Sequence, residues 1–273
     1  MMQRLVLALI LFLSFGVTSA EEKEGGIIGT GVVGEVTALD TFEVAGMRFN
    51  LPETVGLTGI DRIDDLRMGM TLSLRAARDG EGWQATELRH LPVLIGPITG
   101  ENEVMGVPVF GDLPKDGAVM IDGFWSTQGV VATRVTSTER GVDQVIGRYD
   151  PEGSVGTVRL LGGPTVNAER GDVVMVTGKY QRDGFAVVDT EIGVFKGSVP
   201  DLLLVEGFFD EPNPAGDAIL LTIDARMALN GGAAGSDQKV RRCALHGRVD
   251  YERSTLSEGD VKTIDDFCIS ETR

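Results

Sequence analysis

Three segments of the chain share the pattern apolar–Gly–x–apolar: Val33-Gly34-Glu35-Val36, Ile95-Gly96-Pro97-Ile98 and Ile146-Gly147-Arg148-Tyr149. A looser fourth copy is Glu206-Gly207-Phe208-Phe209. Successive glycines of this set lie 51 to 62 residues apart. A recurrence of this length is typical of tandem small domains rather than of one large domain.

Two further elements follow each of the first three segments in a fixed order. The second begins at Gly69, Gly117 and Gly171, and the third begins at Gly82, Gly129 and Gly184. Both are short runs rich in apolar residues that tend to alternate with polar ones, as in half-buried strands. The chain has 37 glycines in 273 residues, about twice the usual fraction of roughly 7%. Such a glycine content favours many turns and therefore many short strands.

Repeat 1 shows the internal order of these elements best. A strand at 32–38 precedes a hairpin around Ala45-Gly46, and apolar residues three apart at 60–66 then predict a short helix that ends before Gly69. A final hairpin covers residues 70–88. This strand–helix order is that of a five-stranded Greek-key barrel of the OB type. Repeats 2 and 3 lack the helix, so we expect their barrels to be incomplete or differently closed.

These glycine-based motifs resemble those of the bacterial family called domain of unknown function 5666. The resemblance covers residues 28–195 and is poor over 203–270. It implies tandem β-barrel repeats in an exported protein and supplies no catalytic or ligand residues. We expect an all-β fold of three to four tandem small OB-like Greek-key barrels, with one short helix in the first repeat. The expected domains are repeat 1 at 28–92, repeat 2 at 93–140, repeat 3 at 141–196 and a divergent repeat 4 at 197–273.

Residues 1–20 have the pattern of a signal peptide. Arg4 supplies the positive charge, an apolar run follows from Leu5 to Val17, and Thr18-Ser19-Ala20 forms a small-residue cleavage site. An uncleaved anchor or a core helix is the alternative, but the run is short for a membrane span. We predict a periplasmic or secreted bacterial protein that has no membrane span after cleavage.

The charge of the chain limits its partners. It carries 41 acidic and 25 basic residues, for a net charge of -16. Nucleic acids require a basic face, and anionic membrane surfaces repel an acidic protein. We therefore predict no nucleic-acid partner and no docking on an anionic membrane.

Cys243 and Cys268 are the only cysteines of the chain. An even number in an exported protein predicts a disulfide. Such a bond would close a loop of about 26 residues and stabilise the fold by about 3 kcal/mol. Two separate buried thiols are the alternative.

The sequence contains no catalytic constellation that we can identify. His90 and His246 are the only histidines, and neither has metal-ligand spacing around it. We expect His90 to lie at a linker surface after the last strand of repeat 1. Residues 29–34 match the Gly-x-Gly-x-x-Gly pattern, but the hairpin that follows is not the helix that dinucleotide binding requires. We predict no catalytic residue and no cofactor.

Three groups of carboxylates could bind calcium, which prefers oxygen ligands from acidic loops. They are Asp61, Asp64 and Asp65; Asp210, Glu211 and Asp217; and Asp265 and Asp266. None has the spacing of a calcium loop. Solvated acids that keep the protein soluble are the simpler interpretation, and whether a metal binds stays open.

Four aromatic residues occupy repeated positions. Trp125 and Tyr180 stand two residues after a matched glycine, and Trp83 and Phe185 follow one directly. Aromatic side chains on the faces of OB-type sheets can stack on sugars or bases. Packing inside or between barrels is the alternative, and we favour burial of Trp125 and Tyr180.

These observations predict a non-enzymatic binding or scaffold protein of the bacterial envelope. Its partner would be an envelope protein, a polysaccharide or a divalent cation. The alternatives are a carbohydrate-active hydrolase that uses acid pairs and a structural spacer. Two acids that converge with an aromatic residue in one pocket would favour the hydrolase.

Overall fold

The computed structural model describes most of the chain between Thr30 and Ser270. The described residues are 30–80, 82–126, 128–139, 141–162, 166–195, 200, 202–209, 218–219, 241–250, 255–257 and 269–270. The predicted signal peptide, Cys268 and the side chain of Cys243 lie outside this part of the chain.

The described residues form strands and one short helical turn. Unit 1 contains β1 (Thr30–Ala38), β2 (Glu43–Val44), β3 (Met47–Arg48), β4 (Gly56–Thr58), β5 (Thr71–Asp79) and β6 (Gly82–His90). Unit 2 contains β7 (Leu94–Gly100), β8 (Glu103–Val104), β9 (Val107–Phe110), β10 (Ala118–Ser126) and β11 (Gly129–Thr138). Unit 3 contains β12 (Asp143–Asp150), β13 (Ser154–Val155), β14 (Val158–Leu161), β15 (Val173–Gln181) and β16 (Gly184–Ile192). The remaining strands are β17 (Leu202–Phe209), β18 (Ala218–Ile219), β19 (Arg241–Asp250), β20 (Thr255–Ser257) and β21 (Ile269–Ser270).

The all-β class is confirmed, and each unit forms a closed circuit of paired strands. In unit 2, β7 pairs with β8, β8 with β9, β9 with β11, β11 with β10, and β10 again with β7. Unit 3 repeats this circuit with β12–β16. The third and fifth strands of each circuit are parallel, and the other pairs are antiparallel. The strand pairing of units 2 and 3 therefore forms a complete circuit, so of the expected incomplete or different closure the incomplete form is not seen.

Unit 1 closes the same circuit by a single bridge. Asn50, just after β3, pairs in parallel with Gln84 of β6. Between the third strand and β5 this unit inserts β4 and a 3-10 turn at Ile63–Asp65, where the sequence predicts a helix. The apolar side chains of this insertion fill one side of the unit 1 core, so a full helix is not needed to cover it.

The repeated glycine of the first strand has a local structural cause. A Cβ at Gly34 would stand 2.5 Å from the Cβ of Ala45, which lies in the β2–β3 turn of unit 1. Ala45 has a positive φ of 51°, and its N–H donates to the carbonyl oxygen of Glu35 at 2.9 Å. Gly96 faces Met105 and Gly147 faces Gly156 in the same way. The glycine therefore lets the second hairpin fold back onto the first strand.

First strands also join the units in pairs. Leu94 of β7 pairs with Val145 of β12 in antiparallel orientation, at equivalent positions of units 2 and 3. Thr30–Val33 of β1 instead pairs in parallel with Leu202–Val205 of β17. The buried Glu206 of β17 accepts the Glu35 N–H at 2.7 Å.

The cores follow this pairing. Units 2 and 3 share one hydrophobic cluster, which includes Leu94, Ile121, Val145 and Phe185. Unit 1 has its own cluster, to which Leu204 of β17 contributes. Whether each predicted repeat is a separate domain stays a prediction, but units 2 and 3 have a common interior.

Candidate functional site

A cleft of about 170 Å³ lies on the outer face of unit 1. Its floor is formed by β4, β5 and β6, and its side by Val194 and Phe195, which follow the last strand of unit 3. Alternation along the strands produces this floor. Leu72, Leu74 and Leu88 face the core of unit 1, and their neighbours along the strands face the opposite side of the sheet.

The outward side chains form two rows across the three strands. Ser73 pairs with Arg89, which pairs with Thr58. Arg75 pairs with Glu87, which pairs with Gly56. Serine, threonine, arginine and glutamate therefore lie side by side on one face, and the second row ends at a position without a side chain.

Two ion pairs hold the charged groups of this floor. Arg75 Nε lies 3.2 Å from Glu87 Oε2. Arg89 donates to both carboxylate oxygens of Glu191, at 2.5 and 2.6 Å, across the border between units 1 and 3. The Arg89 side chain is 10% exposed and that of Glu191 is 39% exposed. The paired charges cancel locally, and the bidentate contact fixes Arg89 in place.

The segment after β16 is attached to the same floor. Ser73 Oγ donates to the carbonyl oxygen of Val194 at 2.7 Å. The Arg75 guanidinium carbon lies 5.6 Å from the centroid of the Phe195 ring, within the range of a cation–π contact. Phe195 is buried beneath this arginine, so its ring is not an open stacking surface.

Acids and an aromatic residue thus meet near one cleft, as the hydrolase alternative requires. Both oxygens of Glu191, however, accept hydrogen bonds from Arg89, and Glu87 is the partner of Arg75. A general acid must carry a proton that it can give to the leaving group. Each of these carboxylates therefore has an arginine partner, and the hydrolase stays an alternative.

A second polar cluster lies between units 1 and 2. His90 Nε2 is 2.7 Å from Asp122 Oδ1, and the side chains are 5% and 0% exposed. The N–H of Thr71 donates to the same oxygen at 3.0 Å, and the N–H of Gly123 donates to Thr71 Oγ1 at 2.9 Å. Asp122 Oδ2 has no hydrogen-bond partner among the described residues.

The expectation that His90 lies at a linker surface is wrong. His90 is the last residue of β6 and shares the inward face of Leu88, two residues earlier. Strand alternation was the signal that could have placed it inside. Asp122 was missed because its partner lies in another unit, 32 residues earlier in the chain.

The four predicted aromatic residues occupy equivalent cross-strand pairs beside the last hairpin turn of each unit. Tyr180 lies opposite Phe185, Trp125 opposite Val130, and Arg78 opposite Trp83. Trp125 and Phe185 are buried, whereas Tyr180 and Trp83 are half-buried. Arg78 stacks over Trp83 at 4.4 Å. Ligand contact at these four positions stays a prediction. Of the four side chains, those of Tyr180 and Trp83 have exposed area that a ligand could contact.

Trp125 and Tyr180 each reach across to the other unit. Trp125 Nε1 donates to the carbonyl oxygen of Ile146 at 2.7 Å, and a Cβ at Gly156 would lie 2.7 Å from its ring. A Cβ at Gly106 would lie 3.2 Å from the Tyr180 hydroxyl. These two side chains therefore lie at the interface of units 2 and 3.

The predicted carboxylate groups fall partly outside the described residues. Asp64 and Asp65 lie within the 3-10 turn and Asp61 precedes it, and Asp65 pairs with Arg62 at 3.5 Å. In the described part of the chain no three histidine, cysteine or acidic side chains converge as metal ligands would. Asp210, Glu211, Asp217, Asp265 and Asp266 lie outside that part, as does the side chain of His246.

The same described ranges contain no helix that is long and apolar enough to cross a membrane. Comparisons with protein-family models, curated proteins and solved structures gave no match for this chain.

Proposed function

We propose that this protein is an exported, non-enzymatic binding or scaffold protein of the bacterial envelope. The observation that supports this proposal is that the ionisable side chains most suited to catalysis take part in contacts between units. His90 with Asp122, and Arg89 with Glu191, connect one unit to another. Side chains that catalysis would need are thus committed to holding the units together.

OB-like barrels are part of the same proposal. Units 2 and 3 each have five strands in the spatial order 1-2-3-5-4, and the fourth strand pairs again with the first. Unit 1 has the same order apart from its inserted strand β4, with the Asn50–Gln84 bridge in place of a full pairing. This order supports the OB interpretation, and barrels of that type commonly bind extended ligands on their sheet faces and loops. The resemblance to domain of unknown function 5666 also implies tandem copies in an exported chain.

Export rests on residues 1–20, whose charge, apolar run and small-residue site are those of a signal peptide. The test is expression of the full chain in a bacterium, followed by fractionation and N-terminal sequencing. A periplasmic or secreted product that begins at Glu21 is expected. Cytoplasmic protein with an intact N-terminus would refute export.

Binding is tested by co-sedimentation of the exported protein with isolated envelope material, including cell-wall sacculi and outer-membrane fragments. Retention that saturates with protein concentration supports the proposal. A thermal-shift panel of cations and saccharides is the complement, because a ligand at a hundred times its dissociation constant adds about 2.7 kcal/mol of stability. A protein that sediments with no fraction and responds to no ligand would instead be a structural spacer.

A further inference from the structure

We propose that the cleft on the outer face of unit 1 binds one sugar unit of a neutral polysaccharide. The inference rests on the proposed binding function and adds the location and the chemical class of the ligand. The cleft is formed by β4, β5 and β6 together with Val194 and Phe195.

The floor offers donors and acceptors in the arrangement that sugar hydroxyls require. Arg75 lies directly across from Glu87, and Arg89 directly across from Thr58. Neighbouring strands are about 4.8 Å apart, so adjacent hydroxyls of one ring can reach side chains from two strands. A carboxylate accepts hydrogen bonds, an arginine donates them, and a hydroxyl side chain does both.

The groups of the floor are held in place before any ligand arrives. Arg89 is fixed by two contacts to Glu191, and Arg75 lies between Glu87 and the Phe195 ring. A site whose polar groups are already ordered loses less conformational freedom on binding. The Glu87 side chain is 54% exposed, so a ligand can reach its carboxylate.

The size of the cleft limits what it can hold. Its volume is about 170 Å³, which is below the range of roughly 300–1,000 Å³ of sites for drug-sized ligands. It therefore fits a single ring, with the rest of a chain outside. Gly56 leaves space at the end of one row, and Leu57 and Val194 also line the cleft.

Charge selects a neutral ligand over an acidic one. The two ion pairs of the site, Arg75–Glu87 and Arg89–Glu191, carry no net charge, whereas the whole chain has a net charge of -16. An acidic polysaccharide would be repelled by the net negative charge of the protein. Both arginines of the cleft already have a glutamate partner, so neither offsets this repulsion. A neutral chain is not repelled.

The test compares two oligosaccharides against full-length exported protein by amide chemical shifts. The probes are the neutral tetramer of N-acetylglucosamine and the acidic tetramer of galacturonic acid. The blocking variant is Gly56→Leu, because a Cβ at Gly56 meets nothing closer than 3.6 Å and the longer side chain would occupy the cleft. The matched control is Gly82→Leu, where a Cβ also meets nothing closer than 3.6 Å. Neither glycine has a positive φ.

The neutral tetramer should shift amides of β4 and β6, and Gly56→Leu should weaken its binding at least tenfold while Gly82→Leu leaves it unchanged. Thr58→Val, which removes one hydroxyl at nearly constant volume, should weaken binding severalfold and serves if Gly56→Leu does not fold. Unchanged affinity in these variants would overturn the cleft while leaving envelope binding intact. Tighter binding of the acidic tetramer would overturn the ligand class, and the absence of binding by both probes would overturn the whole inference, even if the protein sediments with envelope material.

Discussion

Replacing His90 with leucine should destabilise the protein much more than replacing its partner Asp122 with asparagine. In His90→Leu the Asp122 carboxylate keeps the Thr71 N–H as a donor and loses the imidazole. The carboxylate is 0% exposed, so water cannot replace the lost contact. In Asp122→Asn the amide oxygen can still accept from both the imidazole and the Thr71 N–H.

The magnitude follows from what each variant leaves unpaired. Removing one partner of a buried hydrogen bond to a carboxylate leaves that carboxylate unsatisfied, which typically costs about 1–3 kcal/mol and more for a charged group. An isosteric change that keeps the hydrogen bonds should cost about 1 kcal/mol. The double variant His90→Leu/Asp122→Asn leaves no carboxylate in the site. It should therefore be more stable than His90→Leu alone, although it carries one more substitution.

Urea unfolding measures these free energies directly. The chain has two tryptophans, Trp83 in unit 1 and Trp125 in unit 2, so fluorescence reports on both sides of the contact, and far-UV circular dichroism reports on the strands. The control is His90→Gln, which keeps an N–H donor at similar reach and should lose less than His90→Leu. A double variant less stable than His90→Leu would refute the argument that the unpaired carboxylate is the cause.

Three further predictions concern the contacts between units and the C-terminal part of the chain. Gly156→Ala should cost about 1–3 kcal/mol more than Gly153→Ala in thermal unfolding, because its Cβ would lie 2.7 Å from the Trp125 ring whereas a Cβ at Gly153 would lie in open space. Both glycines have positive φ, so the cost of backbone strain largely cancels in the comparison. Equal losses of stability would contradict the packing argument. Arg89→Met should lower the free energy of unfolding in denaturant by about 1–2 kcal/mol. This loss should be smaller in 1 M salt, because the partner carboxylate of Glu191 is partly exposed. A loss that does not depend on salt would mean that Arg89 stabilises the fold through packing instead. Cys243 and Cys268 should resist thiol labelling in exported protein until a reductant is added, and labelling of both without reduction would rule out the predicted disulfide.

The repeat could be read from the sequence because its cause is local. Gly34, Gly96 and Gly147 each face a turn residue only 9 to 11 positions later in the chain. A close approach of this kind excludes any side chain, so each unit retains the glycine and the signal survives. Strand alternation is equally local, and it is sufficient to predict the all-β class.

The contacts between units could not be read in the same way. Arg89 and Glu191 are 102 residues apart, and Glu35 and Glu206 are 171 apart. Such pairs depend on how finished units sit against one another, and no periodic pattern marks them. The difference in burial between Trp125 and Tyr180 could not be predicted for the same reason. Their positions in units 2 and 3 are equivalent, but each side chain packs against a different turn of the neighbouring unit, at Gly156 and at Gly106.

The parallel pairing of β1 with β17 has a consequence for how the chain reaches its final state. Residues 30–33 of β1 are synthesised 172 residues before their partners at 202–205 of β17. Until then the outer edge of β1 is an open template with unpaired amides, which other nascent chains can recruit. The pairing of β1 with β17 is therefore a late, non-local step of folding. A truncated chain that stops before Leu202 should expose this edge and aggregate from its N-terminal unit first.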